Sequence, residues 1–155
     1  MGVVVVGVDL SETSTRALHE AIREAVWRSA TVKVLHVVTL PAYAAVELGA
    51  MVSALDAIRE AGEEAIERHL AEVESTYDGG FPVSVELSVV LGHTGTQILQ
   101  AAIENDAELV VLGSRGLGGF RGLMIGSVTN YAVHHLRTPL LVVPAVEGDR
   151  DSGAS

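Results

Sequence analysis

Six of the chain's 16 glycines, Gly113, Gly116, Gly118, Gly119, Gly122 and Gly126, fall within fourteen residues between two apolar stretches. Glycine serves where the backbone takes φ > 0 or approaches a ligand closely, and a strand-to-helix turn rich in it presents N–H groups that cradle phosphate. The helix expected after this loop starts at Gly126-Ser127, so its unpaired N–H groups and the hydroxyl of Ser127, read here as the N-cap, point back to the same place. The chemistry is that of an anion site. Arg115 and Arg121 are the cations within the loop that could meet phosphate oxygens, Arg115 the better placed. Residues 109–146 hold no Asp, Glu, Gln or Lys to orient an attacking water, so binding is expected ahead of turnover.

Other phosphate chemistries fail on spacing. A P-loop needs Gly-Lys followed by Ser or Thr, and the sole lysine, Lys33, stands in an apolar run far from any glycine loop. The dinucleotide fingerprint G-x-G-x-x-G would follow the first strand. After Gly7, however, no glycine occurs until Gly49, and Gly116-x-Gly118 reaches Arg121 where the third glycine belongs. Neither G-x-S-x-G nor H-E-x-x-H is present. The chain has no cysteine, which removes thiolate metal sites and cysteine nucleophiles. No histidine pair has ligand spacing backed by a third group, so no metal site is expected. His36 reads as a hydrogen-bonded core residue, and of His134 and His135 one should point inward and one outward.

These residues need elements to position them. A chain of 155 residues, 48% hydrophobic, is long enough for one domain with a sizeable core. Val3-Val4-Val5-Val6, ending at Gly7-Val8-Asp9, is a continuous β-branched run suited to a strand covered on both faces. Ser11, Thr13 and Ser14 are N-cap candidates for a helix whose apolar positions Leu18, Ala21, Ile22, Ala25 and Val26 run through to Trp27. A second strand spans Val32 to Val38, and an irregular stretch surrounds Pro41-Ala42-Tyr43. A long helix follows, marked by Leu55, Ile58, Ala65, Ile66, Leu70 and Val73, with an acidic solvated face. Val83 to Leu87 alternates like a strand, and Gly92-His93-Thr94 leads into a short helix. Leu109 to Leu112 is a fourth strand, Ser127 to Leu136 a helix stopped by Pro139, and Leu140 to Val143 a fifth strand. The tail 147–155 reads as disordered beyond a domain of residues 1–146. Strand and helix alternate, which makes an α/β domain with a doubly wound, five-stranded parallel sheet. Ligands of such sheets bind outside the C-terminal strand ends where the strand order reverses.

Charge and termini narrow the partners. The chain carries −10 overall and +3 from 109 to 146, hence −13 elsewhere, which disfavours nucleic acid and anionic membrane surfaces but leaves one locally positive segment. The apolar opening is too short for a signal sequence or a membrane span, so a cytoplasmic protein is expected.

The spacing Gly113-x2-Gly116-x9-Gly126-Ser127 resembles the G-x2-G-x9-G-[S/T] motif of ATP-binding members of the universal stress protein family. Val6-Gly7-Val8-Asp9 with Ser11 and Ser14, Leu35-His36-Val37-Val38 and Thr138-Pro139-Leu140-Leu141-Val142-Val143-Pro144 are similar to that family's first, second and closing strands, so the resemblance covers nearly the whole chain. It implies a Rossmann-like, adenine nucleotide alpha hydrolase-like fold with strand order 3-2-1-4-5. By the same resemblance Asp9 meets the adenosine, Gly7 and Val8 line that edge, Val37 meets adenine and Leu112 packs on the nucleoside. Gly113 and Gly116 admit the phosphates, and Gly126, Ser127 and Val128 close on them. The implied ligand is ATP, with Mg²⁺ or Mn²⁺ held by the triphosphate, and the implied assembly is a homodimer through Leu140, Leu141, Val142 and Val143. A nucleotide-dependent regulator of stress response or growth arrest follows, with a slow ATPase or phosphotransfer enzyme as the alternative.

Overall fold

The computed structural model describes residues 1–40, 48–115 and 125–146, with residues 48–51 described by their backbone. The stretch Pro41–Tyr43, the glycines Gly116, Gly118, Gly119 and Gly122, Arg121 and the tail 147–155 lie outside the described residues. The elements run β1 (Val3–Gly7), α1 (Glu12–Arg28), β2 (Thr31–Val38), α2 (Leu48–Glu74), β3 (Val85–Leu91), α3 (Thr94–Glu104), β4 (Leu109–Gly113), α4 (Ser127–His135) and β5 (Leu140–Val143). All strand pairs are parallel and the sheet order is β3-β2-β1-β4-β5, as expected.

The valine run of β1 makes it the central strand, with Val4, Val5 and Val6 fully buried because helices cover both sheet faces. Val4 and Val6 of β1 join a core with α1 and α2 that includes Val32, Val34, Leu18 and Ile66. Val5, between them, points to the other face and joins a second core with α3 and α4, built with Leu35, Ile98, Val110, Leu112 and Ala132. β1 connects through α1 toward β2, while α3 delivers β4 to its other side, so the order reverses between β1 and β4.

Several local readings shift. β3 begins at Val85 and reaches Leu91, later than the alternation at 83–87 suggests. Its partner β2 extends to Val38, and the Val38↔Leu91 register sets where β3 ends. On α1 the buried stripe stops at Ala25, and Val26 and Trp27 are exposed. Each residue turns about 100° round the helix, which carries Val26 off the face that meets the sheet. His134 and His135 are both exposed, because Thr129 and Ala132 are the positions of α4 that face inward.

His19 Nδ1 and the Tyr77 hydroxyl lie 2.6 Å apart, joining α1 to the turn after α2. Burial, with the Glu20 carboxylate adding to it, pushes the Tyr77 phenol above its ordinary value near 10. A raised folded-state pKa gives stability that is present below pH 10.0 and is lost as the pH rises through the raised value. Tyr77→Phe is therefore expected to lose less melting temperature than wild type between about pH 9 and 11; parallel thermal curves would contradict the linkage.

A candidate nucleotide crevice at the C-terminal strand ends

The rim residues are placed by β1, β2, β4 and the start of α4. Beyond β1 the chain makes a turn in which the Asp9 carboxylate accepts from the Ser11 N–H at 3.0 Å and from the Ser11 hydroxyl. Ser11 is the N-cap of α1, its Oγ accepting from Ser14 N at 3.2 Å. Asp9 thus organises the helix entry while standing half-buried on the rim.

The expected residues do not all contribute in the same way. Val37 and Val128 pack against the core holding the buried Leu112, on the α3/α4 side. A Cβ at Gly7 would lie 2.8 Å from Leu112 Cδ2, so the missing side chain lets Leu112 lie flat across β1. These four residues form one apolar wall. Val8 belongs to the opposite core with 2% of its surface exposed, so it can present only backbone to a ligand. At Gly113 the direction of the missing Cβ is filled by Thr13 of α1, whose Cγ2 would be 2.7 Å away. Glycine at that position answers helix-on-strand packing, and only its backbone remains for phosphate.

The ends of the glycine loop are drawn together. Gly126 N donates to the Ser114 carbonyl, and the Thr129 hydroxyl, 2% exposed, donates to the Gly113 carbonyl at 2.8 Å. The buried Ser114 also donates from its N–H to the Val143 carbonyl at 2.8 Å and accepts from Ala145 N at 3.1 Å, tying the loop to the end of β5. Ser114 and Thr129 are not among the residues the glycine spacing singles out, although each is a hydroxyl residue within three positions of a motif glycine. The N-cap expected at Ser127 falls instead on Gly126, which holds that position without a side-chain bond, and Ser127 is the exposed first residue of α4. The first bond of α4 runs from Asn130 N to the Gly126 carbonyl at 2.9 Å, so the N–H groups before it lie at the open end of the helix.

Arg115 is half-buried immediately beyond this base, and its Nε is buried with no hydrogen-bond partner among the described residues. A guanidinium cannot shed its charge, so a buried unpartnered N–H there carries a desolvation cost that an anion would offset. A separate cavity of about 430 Å³ runs along α4, lined by Ser127, Val128, Asn130, Tyr131, His134 and His135, with His93 just before α3. Among the described residues no group of three or more His, Asp or Glu side chains could hold a metal. Among the same residues no helix is long and apolar enough to cross a membrane.

The model of the universal stress protein family matches residues 1–144. The Synechocystis universal stress protein Sll1388 is 29% identical, the match covering 92% of this chain and 97% of that protein. The Mycobacterium tuberculosis universal stress protein Rv2623 is 33% identical across 90% of this chain but only 44% of its own length, so the chain spans under half of that relative. Among solved structures, UspA of Lactobacillus plantarum superposes with a TM-score of 0.75 at 23% identity, covering 92% of this chain and 97% of that one. A universal stress protein in complex with cAMP has a TM-score of 0.60 at 24% identity, covering 92% and 96% of the two chains. An Archaeoglobus fulgidus universal stress protein in complex with dAMP has 0.60 at 20%, covering 92% and 97%. With nearly all of its length matched by the family model, the chain belongs to the universal stress protein family.

Proposed function

We propose that this chain is an ATP-binding universal stress protein that acts through nucleotide occupancy rather than turnover, as a regulator of stress response or growth arrest. The observation that carries the reading is the Nε of Arg115, buried and without a hydrogen-bond partner among the described residues, one residue beyond the Ser114 carbonyl that Gly126 N bonds at the base of the glycine loop. Adenine and ribose would lie along Gly7, Asp9, Val37 and Leu112, with phosphates at Gly113, Arg115, Gly116, Gly126, Ser127 and Val128. The cAMP and dAMP complexes of fold relatives support an adenine nucleotide as the ligand class. The lack of Asp, Glu, Gln and Lys in 109–146 leaves the γ-phosphate without a water-orienting group, which favours binding over hydrolysis. Any Mg²⁺ or Mn²⁺ would be held by the triphosphate.

The domain of this reading spans 1–146, works in the cytoplasm and pairs with a second copy through β5. β5 is an edge strand. Val110 N bonds the Pro139 carbonyl and Ser114 N bonds the Val143 carbonyl, so alternation turns the Leu140 and Val142 backbone groups outward, where a twin strand could take them. Titration of the purified protein with Mg-ATP by calorimetry, with mass spectrometry of copurified small molecules, tests the nucleotide reading. Saturable binding of one nucleotide per chain is expected; no heat and no thermal shift would sink it. Phosphate release during the same incubation would overturn the binding-only role.

A further inference from the structure

At the end of β1 the Val8 N–H donates to the Leu35 carbonyl at 3.0 Å, and the Val8 carbonyl accepts from a side chain, His36 Nδ1, at 2.7 Å. A carbonyl oxygen has no hydrogen to give, so Nδ1 carries the ring proton. The N–H of the same peptide unit, on Asp9, donates to Ser14 Oγ at 3.2 Å. The Val8–Asp9 peptide is therefore held at both ends by side chains, one from β2 and one from α1. Both are buried, His36 at 9% exposure and Ser14 at 4%. Behind the imidazole, α2 passes at Gly62, where an added Cβ would lie 2.6 Å from Val38 Cγ2 and 3.9 Å from His36 Nε2. The ring is confined between α2 and the Val8 carbonyl.

A planar peptide pinned at its oxygen and its nitrogen fixes the direction in which the chain leaves for the Asp9 Cα, and from there the Ser11 N–H and hydroxyl hold the carboxylate. We propose that His36 is a positioning residue for the nucleotide crevice, which with Ser14 clamps the Val8–Asp9 peptide so that Asp9 is held ready on the rim. The ligand side of this proposal rests on the nucleotide reading; the clamp itself does not. Holding Asp9 before the ligand arrives spares binding the cost of ordering it.

Three substitutions separate positioning from simple stability. His36→Asn places an amide nitrogen at the δ position of the imidazole, His36→Gln places it one bond further out, and His36→Leu keeps bulk without a donor. The measurements are hydrogen exchange of the Asp9 amide in nucleotide-free protein, with the Val6 amide of β1 as a core control, and the Kd for Mg-ATP. Asp9 exchange is expected to speed up about tenfold in the Leu and Gln variants and to stay within about threefold in Asn, with Val6 unchanged. ATP affinity should follow the same order, falling about tenfold in Leu and Gln. If Asn behaves no better than Leu in exchange, the clamp is overturned whatever the affinities are. If exchange follows the predicted order and affinity tracks only melting temperature, the positioning role is overturned. If exchange follows it and wild type binds no nucleotide, the clamp stands and the nucleotide reading falls.

Discussion

Gly113→Val should lower the melting temperature of the nucleotide-free protein by roughly 6–12 °C, corresponding to about 3 kcal/mol of overpacking in a chain of this size. The cause is α1 rather than a ligand. A Cβ at position 113 meets Thr13 Cγ2 at 2.7 Å and the Arg115 carbonyl and Thr13 backbone at 3.3 Å each. Thr13 is 5% exposed and sits in the first turn of α1, where a β-branched side chain has little rotameric freedom, and the two backbone contacts cannot rotate away at all. Valine adds two methyl groups to a space already too small for one carbon. A clash confined to bound phosphate would leave the free protein as stable as wild type, so a thermal melt without nucleotide separates the two explanations. Thr13→Ser deletes the offending Cγ2 and keeps a hydroxyl. Combined with Gly113→Ala it should recover about half of the loss that Gly113→Ala causes alone, a coupling of about 1 kcal/mol in a double-mutant cycle. Gly113→Val melting with wild type would show that the missing side chain is needed for something other than packing.

The continuous valines of β1 announced a strand covered on both sides because no half-exposed strand tolerates that many apolar residues in sequence. The glycine spacing from Gly113 to Gly126 located the strand-to-helix turn for similarly local reasons. What local pattern does not carry is which residue a glycine makes room for, since Thr13 lies a hundred residues away in sequence and meets Gly113 only once α1 has packed on β4. Ser114 is hidden from the sequence on the same ground: its partners at Val143, Ala145 and Gly126 are chosen by the sheet order, not by its neighbours in the chain. His36 was partly legible. An imidazole inside an apolar strand must find a partner, but only the fold shows that the partner is the backbone of the Asp9 turn. Val8 shows the complementary failure, because a residue next to Asp9 on the rim still turns its side chain into the far core.

The second large effect concerns Arg115, where stability and binding should move in opposite directions. Its Nε is buried and has no hydrogen-bond partner among the described residues, so in the nucleotide-free protein its N–H carries a desolvation cost. Arg115→Met keeps an unbranched stem of similar length against the loop base and removes that N–H. The free protein is therefore expected to gain about 1 kcal/mol, read as a rise of roughly 2–4 °C in melting temperature. Charge-assisted hydrogen bonds to phosphate are among the stronger ones proteins make, and losing them should weaken Mg-ATP about 10- to 100-fold. Adenosine, which lacks phosphate, should bind both proteins within about twofold, because the apolar wall of Val37, Leu112 and Val128 is untouched. The opposed signs matter more than either magnitude: a residue that only supports the fold would lower stability and affinity together. An Arg115→Met protein that is less stable than wild type and binds ATP as tightly would remove Arg115 from the site, and would leave phosphate recognition to Gly113, Gly116, Gly126, Ser127 and Val128.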